Sequence, residues 1–249
     1  MNYMLDYDLE IINGSLLSDG CITKIPKCKN YYFIHYCKHV EYIEFLEKEF
    51  SFITKIQPYK ARIYHSKNRK GESYSGQGSA GAYLKSRVSE ELTEMRKKWY
   101  PHGKKLVPSD LVLTPTTVLH WYLGDGNNRP NEGVRLCTCG FSPGDNQKLV
   151  SMLLDIVPEC SLGDQNMIHI PQTSVFEFFQ YIKQPQLDCF AYKFKTSAVQ
   201  SYHGRTCEFC HTKYKARQYN QRVCSSACGK KLWKKEKDYI CQTFPKGNV

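Results

Sequence analysis

Two acidic residues in this chain close matching apolar runs. Asp19 ends Ile12-Asn13-Gly14-Ser15-Leu16-Leu17-Ser18-Asp19-Gly20, and Asp125 ends Val118-Leu119-His120-Trp121-Tyr122-Leu123-Gly124-Asp125-Gly126. An apolar stretch of helical period stopped by glycine reads as a helix with its C-terminus at the Asp-Gly step. That end carries partial negative charge from unpaired carbonyls and favours cations. Small residues (Gly14, Ser18, Gly124) allow two such helices to cross closely, which would bring the two carboxylates together. A pair of carboxylates repels unless a divalent cation sits between them. Hard oxygen ligands such as Asp19 and Asp125, beside phosphate oxygens, suit Mg2+. The chemistry such a site supports is attack of water on a phosphodiester.

A second constellation lies near the end of the chain. Cys207-x2-Cys210 and Cys224-x3-Cys228, thirteen residues apart, have the spacing of a closed tetrahedral Zn2+ site. The segment has few large apolar residues, so a structural metal is expected to hold it. His203 and His211 lie nearby, but four thiolates already fill the shell. The other eight cysteines are scattered and read mostly as small hydrophobes; Cys137 and Cys139 are spaced for one face of a strand.

The elements that must position these groups repeat. A helix over 5–20 is followed by a strand pattern in 21–37, a helix at 39–50, strands at 52–64 and 81–87, and a helix at 89–100. Thr114 as N-cap and Pro115 at the first helical position start the order again, with Leu113 able to staple to Val118. A strand at 133–141, a helix at 144–156, a hairpin at 159–170 and a helix at 172–183 follow. The chain thus reads as two copies of one αββαββα plan related by a pseudo-twofold axis. The stretch 66–82, rich in Gly, Ser, Lys and Asn, reads as a polar loop.

Among its 249 residues, Lys plus Arg number 35 against 24 Asp plus Glu, a net charge of +11. Residues 201–249 hold 11 basic and 3 acidic residues, so most of the excess lies in the tail. A basic tail on a nearly balanced body points to a polyanion, most simply nucleic acid. The apolar fraction of 41% excludes a wholly disordered chain. No apolar run is long enough to span a bilayer and the start lacks a secretory pattern, so no membrane partner and an intracellular, cytoplasmic location are expected.

The two nine-residue runs resemble the signature of the LAGLIDADG homing endonucleases. The connector Trp99-Tyr100-Pro101-His102-Gly103-Lys104-Lys105-Leu106-Val107-Pro108-Ser109-Asp110-Leu111 is similar to the one preceding the second signature in single-chain members, and Ala191-Tyr192-Lys193-Phe194 resembles the run closing their second repeat. The resemblance covers roughly residues 8–197. It implies an α+β fold with two pseudo-symmetric repeats, 1–110 and 111–200, forming a DNA-binding saddle. A basic zinc-bound module, 201–249, similar to small treble-clef-like knuckles, would be appended. It also implies a monomeric, Mg2+-dependent, site-specific double-strand DNA endonuclease, leaving short 3′ overhangs and encoded in an intron or a free-standing mobile gene. Nothing at the termini looks like protein-splicing junctions.

In that reading Asp19 and Asp125 are catalytic and, with Gly20 and Gly126, are the Mg2+-site residues; one basic residue per half assists, Lys105 and Lys193, with Lys104 and Lys195 as rivals. The spacings, 86 residues from Asp19 to Lys105 and 68 from Asp125 to Lys193, differ by about the length of the 66–82 loop. Expected DNA contacts are Lys24, Lys27, Lys29, Arg62, Lys67, Arg69, Lys70, Arg129, Arg135, Lys230, Lys231, Lys234 and Lys235, with Tyr31, His65 and His169 as further candidates. Two other functions fit the same residues: an RNA maturase that assists splicing of its intron, and a DNA-binding regulator without catalysis.

Overall fold

The computed structural model describes residues 4–51, 53–60, 63–67, 71–129, 131–195, 205–214, 216 and 221–243. The first half runs α1 (Asp6–Leu16), β1 (Cys21–Lys24), β2 (Tyr31–Cys37), α2 (Val40–Glu49), β3 (Ile53–Tyr59), β4 (Ile63–Lys67), β5 (Ser73–Gln77), β6 (Gly81–Ser86) and α3 (Glu90–Trp99). The second runs α4 (Pro115–Asp125), β7 (Gly126–Arg129), β8 (Gly133–Cys137), α5 (Pro143–Leu154), β9 (Ser161–Leu162), β10 (Met167–Pro171) and α6 (Val175–Ile182). Each half builds one four-stranded antiparallel sheet, ordered β1-β2-β6-β3 and β7-β8-β10-β9. The two orders are equivalent once the hairpin β4–β5 is set aside.

That hairpin corrects the sequence reading. Part of the supposed loop 66–82 pairs as β4 with β5, from Ile63↔Gln77 to Lys67↔Ser73, and the single strand expected over 52–64 divides into β3 and β4. The backbone hydrogen bonds of a two-stranded ribbon need no apolar alternation, so polar composition concealed it.

Local chemistry sets the helix limits. Asp8 starts α1: its carboxylate accepts from the Leu5 N–H at 3.2 Å and also from the Ser51 N–H and hydroxyl. The Thr114 hydroxyl accepts from the Thr117 N–H at 3.2 Å, with Pro115 at the first turn of α4. Ser89 and Ser142 cap α3 and α5 in the same way. α1 is shorter than expected: it ends at Leu16, and a closing turn runs to Asp19, sealed by the Gly20 N–H on the Ser15 carbonyl at 2.7 Å. α4 continues to Asp125 itself.

The core lies along the contact of α1 with α4. Ile11, Ile12, Leu16 and Leu17 meet Val118, Trp121, Tyr122 and Leu123, all fully or almost fully buried. Each such side chain contributes about 1.5–3 kcal/mol by leaving water. The crossing needs glycine at two places. A methyl group at Gly14 would collide with the Thr117 carbonyl and lie 2.8 Å from His120 Cβ; one at Gly124 would collide with the Ser18 hydroxyl and lie 2.5 Å from Ser18 Cβ. Gly14 with His120 and Ser18 with Gly124 are equivalent positions of the two nine-residue runs, so the helices cross on the pseudo-twofold axis itself.

The C-terminal segment forms a hairpin of β11 (Arg205–Thr206) and β12 (Lys213–Tyr214), followed by α7 (Ser226–Thr243). Ala216 against Tyr214 makes up the small apolar cluster of this segment. Among the described residues, no helix is long and apolar enough to cross a membrane.

Candidate active site

The crossing delivers Asp19 and Asp125 to one place. Burial, and after it the negative charge of Asp19, pushes the Asp125 carboxyl up to about 6. Both aspartates act electrostatically on Lys105 and on Lys193. The four groups therefore form one charged cluster at the C-terminal ends of α1 and α4.

The lysines bind the two helix ends in matching ways. Lys105 Nζ donates to the Ser18 carbonyl at 3.1 Å and the Gly20 carbonyl at 3.0 Å. Lys193 Nζ donates to the equivalent carbonyls, Gly124 at 3.3 Å and Gly126 at 2.8 Å, and also to Tyr122 at 3.1 Å and Leu123 at 2.7 Å. An ammonium has three N–H groups, so four carbonyls share them. Each lysine thus stands where an unpaired helix end attracts positive charge. Burial lowers both lysines, Lys193 to about 8, against the opposing pull of the aspartates. Lys104 and Lys195 are exposed and take no part in these bonds.

Burial and the neighbouring carboxylate together disfavour charge on Asp125, even with both lysines present. A divalent cation on Asp19 and Asp125 would relieve that, and the oxygen donors suit Mg2+. The Gly20 and Gly126 carbonyls already accept from lysine.

Sequence reasoning passed over the polar groups behind this cluster. His35 on β2 and His120 on α4 are both fully buried, and Tyr42 on α2 shares a hydrogen bond of 2.7 Å with His120 Nδ1. Burial, with Lys105 second, lowers His35 to about 4; burial, with His35 second, lowers His120 to about 3. Both are neutral imidazoles at pH 7. A cavity of about 320 Å3 opens between the halves, lined among others by Asp19, His35, Tyr42, Gly124 and Lys193. The inward alternation of Phe33 and His35 on β2 was the available signal.

The expected DNA contacts fare unevenly. Lys24, Lys27 and Lys29 are exposed at the β1–β2 turn. Arg129 and Arg135 each lie 3.1 Å from Glu132 and, with His169, line a concavity of about 490 Å3 on the second sheet. Arg62, Arg69, Lys70 and the side chains of His65 and Lys67 lie outside the described residues. Lys230, Lys231, Lys234 and Lys235 are exposed on α7. His203 also lies outside the described residues.

The four C-terminal cysteines converge, their sulfurs all within 4.8 Å of one another, with Cys210–Cys224 and Cys224–Cys228 at 3.6 Å. Thiolates at about 2.3 Å from a tetrahedral ion are about 3.8 Å apart, so the cluster could bind a metal ion of that kind.

Helices crossing at paired Asp-Gly ends beneath two equivalent antiparallel sheets define a two-repeat LAGLIDADG fold. The chain belongs to the LAGLIDADG DNA endonuclease family, whose model matches residues 9–184. The structure is similar to that of the homing endonuclease I-WcaI bound to its DNA recognition sequence, with a TM-score of 0.61 at 18% identity over 79% of this chain and 89% of that one. In sequence it is similar to an uncharacterized protein of Methanocaldococcus jannaschii, 31% identical over 57% of this chain and 53% of the relative. It is also similar to the cytochrome b mRNA maturase bI2 of Debaryomyces hansenii, 29% identical over 58% of this chain and 55% of the relative. The chain therefore spans about half the length of either relative.

Proposed function

We propose that this chain is a site-specific, double-strand DNA endonuclease of the homing type. The single observation that carries the reading is the charged cluster: one carboxylate from each repeat, each beside a lysine held by the carbonyls of its own helix end. Asp19 and Asp125 would hold Mg2+. When bound, the ion supplies a more acidic water and draws charge from the scissile phosphate. The chain's own residues do the rest. The crossing of α1 and α4 fixes the distance between the acidic tips. Lys105 and Lys193 set positive charge where the cleaved phosphate gains negative charge. The two sheets, 1–110 and 111–200 being the proposed repeats, lie along the duplex, with Lys24, Lys27, Lys29, Arg129 and Arg135 on phosphates or base edges.

Residues 201–249 form the proposed third unit, a structural Zn2+ site on Cys207, Cys210, Cys224 and Cys228. Its helix α7 would hold Lys230, Lys231, Lys234 and Lys235 against the backbone. Such contacts add affinity that falls with salt.

The test is Mg2+-dependent cutting of a duplex selected from a random library. Asp19→Asn and Asp125→Asn should bind the selected duplex and leave it whole. A second reading, RNA maturase, is favoured by the similarity to the Debaryomyces maturase. A parent chain that binds its intron RNA tightly and never cuts DNA would establish that reading instead.

A further inference from the structure

Cys137 and Cys139 have no part in the cluster described above, yet their sulfurs lie 3.2 Å apart. Neighbours on one face of a regular strand are about 6.6 Å apart along the chain, so the strand pattern alone does not bring them together. The chain turns instead. Thr138 is buried, its hydroxyl donates to the Asn166 carbonyl, and the Phe141 N–H bonds to the Thr138 carbonyl at 3.0 Å. That turn swings Cys139 back over the end of β8. Cys139 is exposed, whereas Cys137 is half-buried. Val134 and Leu136 point into the core, so Cys137 shares the opposite face with Arg135 and, across the ladder, with Met167 and His169. Gly126 pairs with Leu136, which sets Cys137 beside the Asp125 end of β7.

We propose that Cys137 and Cys139 are a modification site, a dithiol that closes to an internal disulfide by exchange with a low-molecular-weight disulfide such as glutathione disulfide. The exposed Cys139 thiolate attacks one sulfur of that disulfide, whose S–S bond breaks, and the departing glutathione thiolate takes up a proton. Cys137 then gives its proton to solvent and attacks Cys139 Sγ, releasing the second glutathione. The two protein thiols lose two electrons and two protons, and the glutathione disulfide takes both. A sulfur already in contact resolves the mixed disulfide at high effective concentration, so the internal bond is the product.

The zinc-loaded full chain, free of DNA, tests this in glutathione buffers of rising oxidation, followed by alkylation and trypsin. Cleavage after Arg135 and Lys148 yields a peptide that holds these two cysteines and no other. The expected result is a peptide lighter by two hydrogens that resists alkylation until reduced. Cys137→Ser should instead carry a lasting glutathione adduct on Cys139. A parent chain that keeps the adduct, or keeps both thiols free in a buffer that modifies Cys137→Ser, overturns the proposal. The readout is a peptide mass, so it stands apart from the nuclease reading.

Discussion

Lys193 occupies in the second half the place that Lys105 occupies in the first. Each ammonium is bonded to the carbonyls on either side of its aspartate, Ser18 and Gly20 or Gly124 and Gly126. The two are not equal in burial. Lys193 is 5% exposed and holds two further carbonyls. The second half is therefore the more tightly closed side of the site.

That inequality predicts different costs. Lys193→Met leaves four carbonyls without their donor and should destabilise the chain by about 3 kcal/mol, since buried hydrogen bonds to a charged group contribute about 1.5–3 kcal/mol each and solvent recovers part. Lys105→Met should cost about half as much. Urea unfolding of both variants measures the difference. Equal costs would contradict the assigned bonding.

Gly124 and Ser18 offer a test of the crossing. Gly124→Ala should cost about 1–3 kcal/mol, because the new methyl meets Ser18 Cβ and neither helix can retreat without opening the core. Adding Ser18→Gly should return most of that stability. A double-mutant cycle in denaturant reads the coupling; additive costs would place the helices farther apart.

How much of this was legible follows from where the physics is local. The paired helices with their Asp-Gly ends, the Thr114 cap and the repeat order announce themselves through period and capping chemistry, and the cysteine quartet through spacing. The β4–β5 hairpin did not, because Gly, Ser and Lys dominate it and backbone pairing makes it. Which of two adjacent lysines turns inward depends on the fold of the connector, so Lys104 and Lys105 looked alike until Lys105 was found on the Ser18 and Gly20 carbonyls. His35 and His120 meet only in three dimensions, from β2 and α4. The approach of Cys139 to Cys137 depends on the turn at Thr138.

Acid should weaken the fold through those histidines. His35 and His120 have folded-state pKa values of about 4 and about 3 against 6.5 unfolded. The unfolded chain therefore takes up protons first. Their contribution is complete above pH 6.5 and is lost as the pH falls, down to about 4 for His35 and about 3 for His120. Asp125 acts in the opposite sense: held at about 6 instead of 3.8, it gains stability on protonation over pH 6 to 4. His35→Leu, which copies Leu136 at the equivalent place in the second sheet, should flatten the metal-free stability profile between pH 6.5 and 4. Chemical denaturation across that range checks it; an unchanged slope would show that His35 is not buried neutral.

Removal of the metal proposed on Cys207, Cys210, Cys224 and Cys228 should unfold the C-terminal segment alone. Ala216 and Tyr214 cannot hold that segment, whereas the two repeats have their own core. Hydrogen exchange after chelation should show rapid exchange through α7 and unchanged protection in α1 and α4. Loss of protection in both would show that the C-terminal segment supports the core.

The central claim is that acidic tips from two repeats act together on one stretch of duplex. Strand-labelled cleavage of the selected target by Asp19→Asn, Asp125→Asn and the parent, beside a binding titration, tests it most directly. The account predicts Mg2+-dependent cutting of both strands by the parent and, in each variant, cutting of both strands reduced by at least about 10³-fold with affinity retained. Normal cutting by either variant would contradict it.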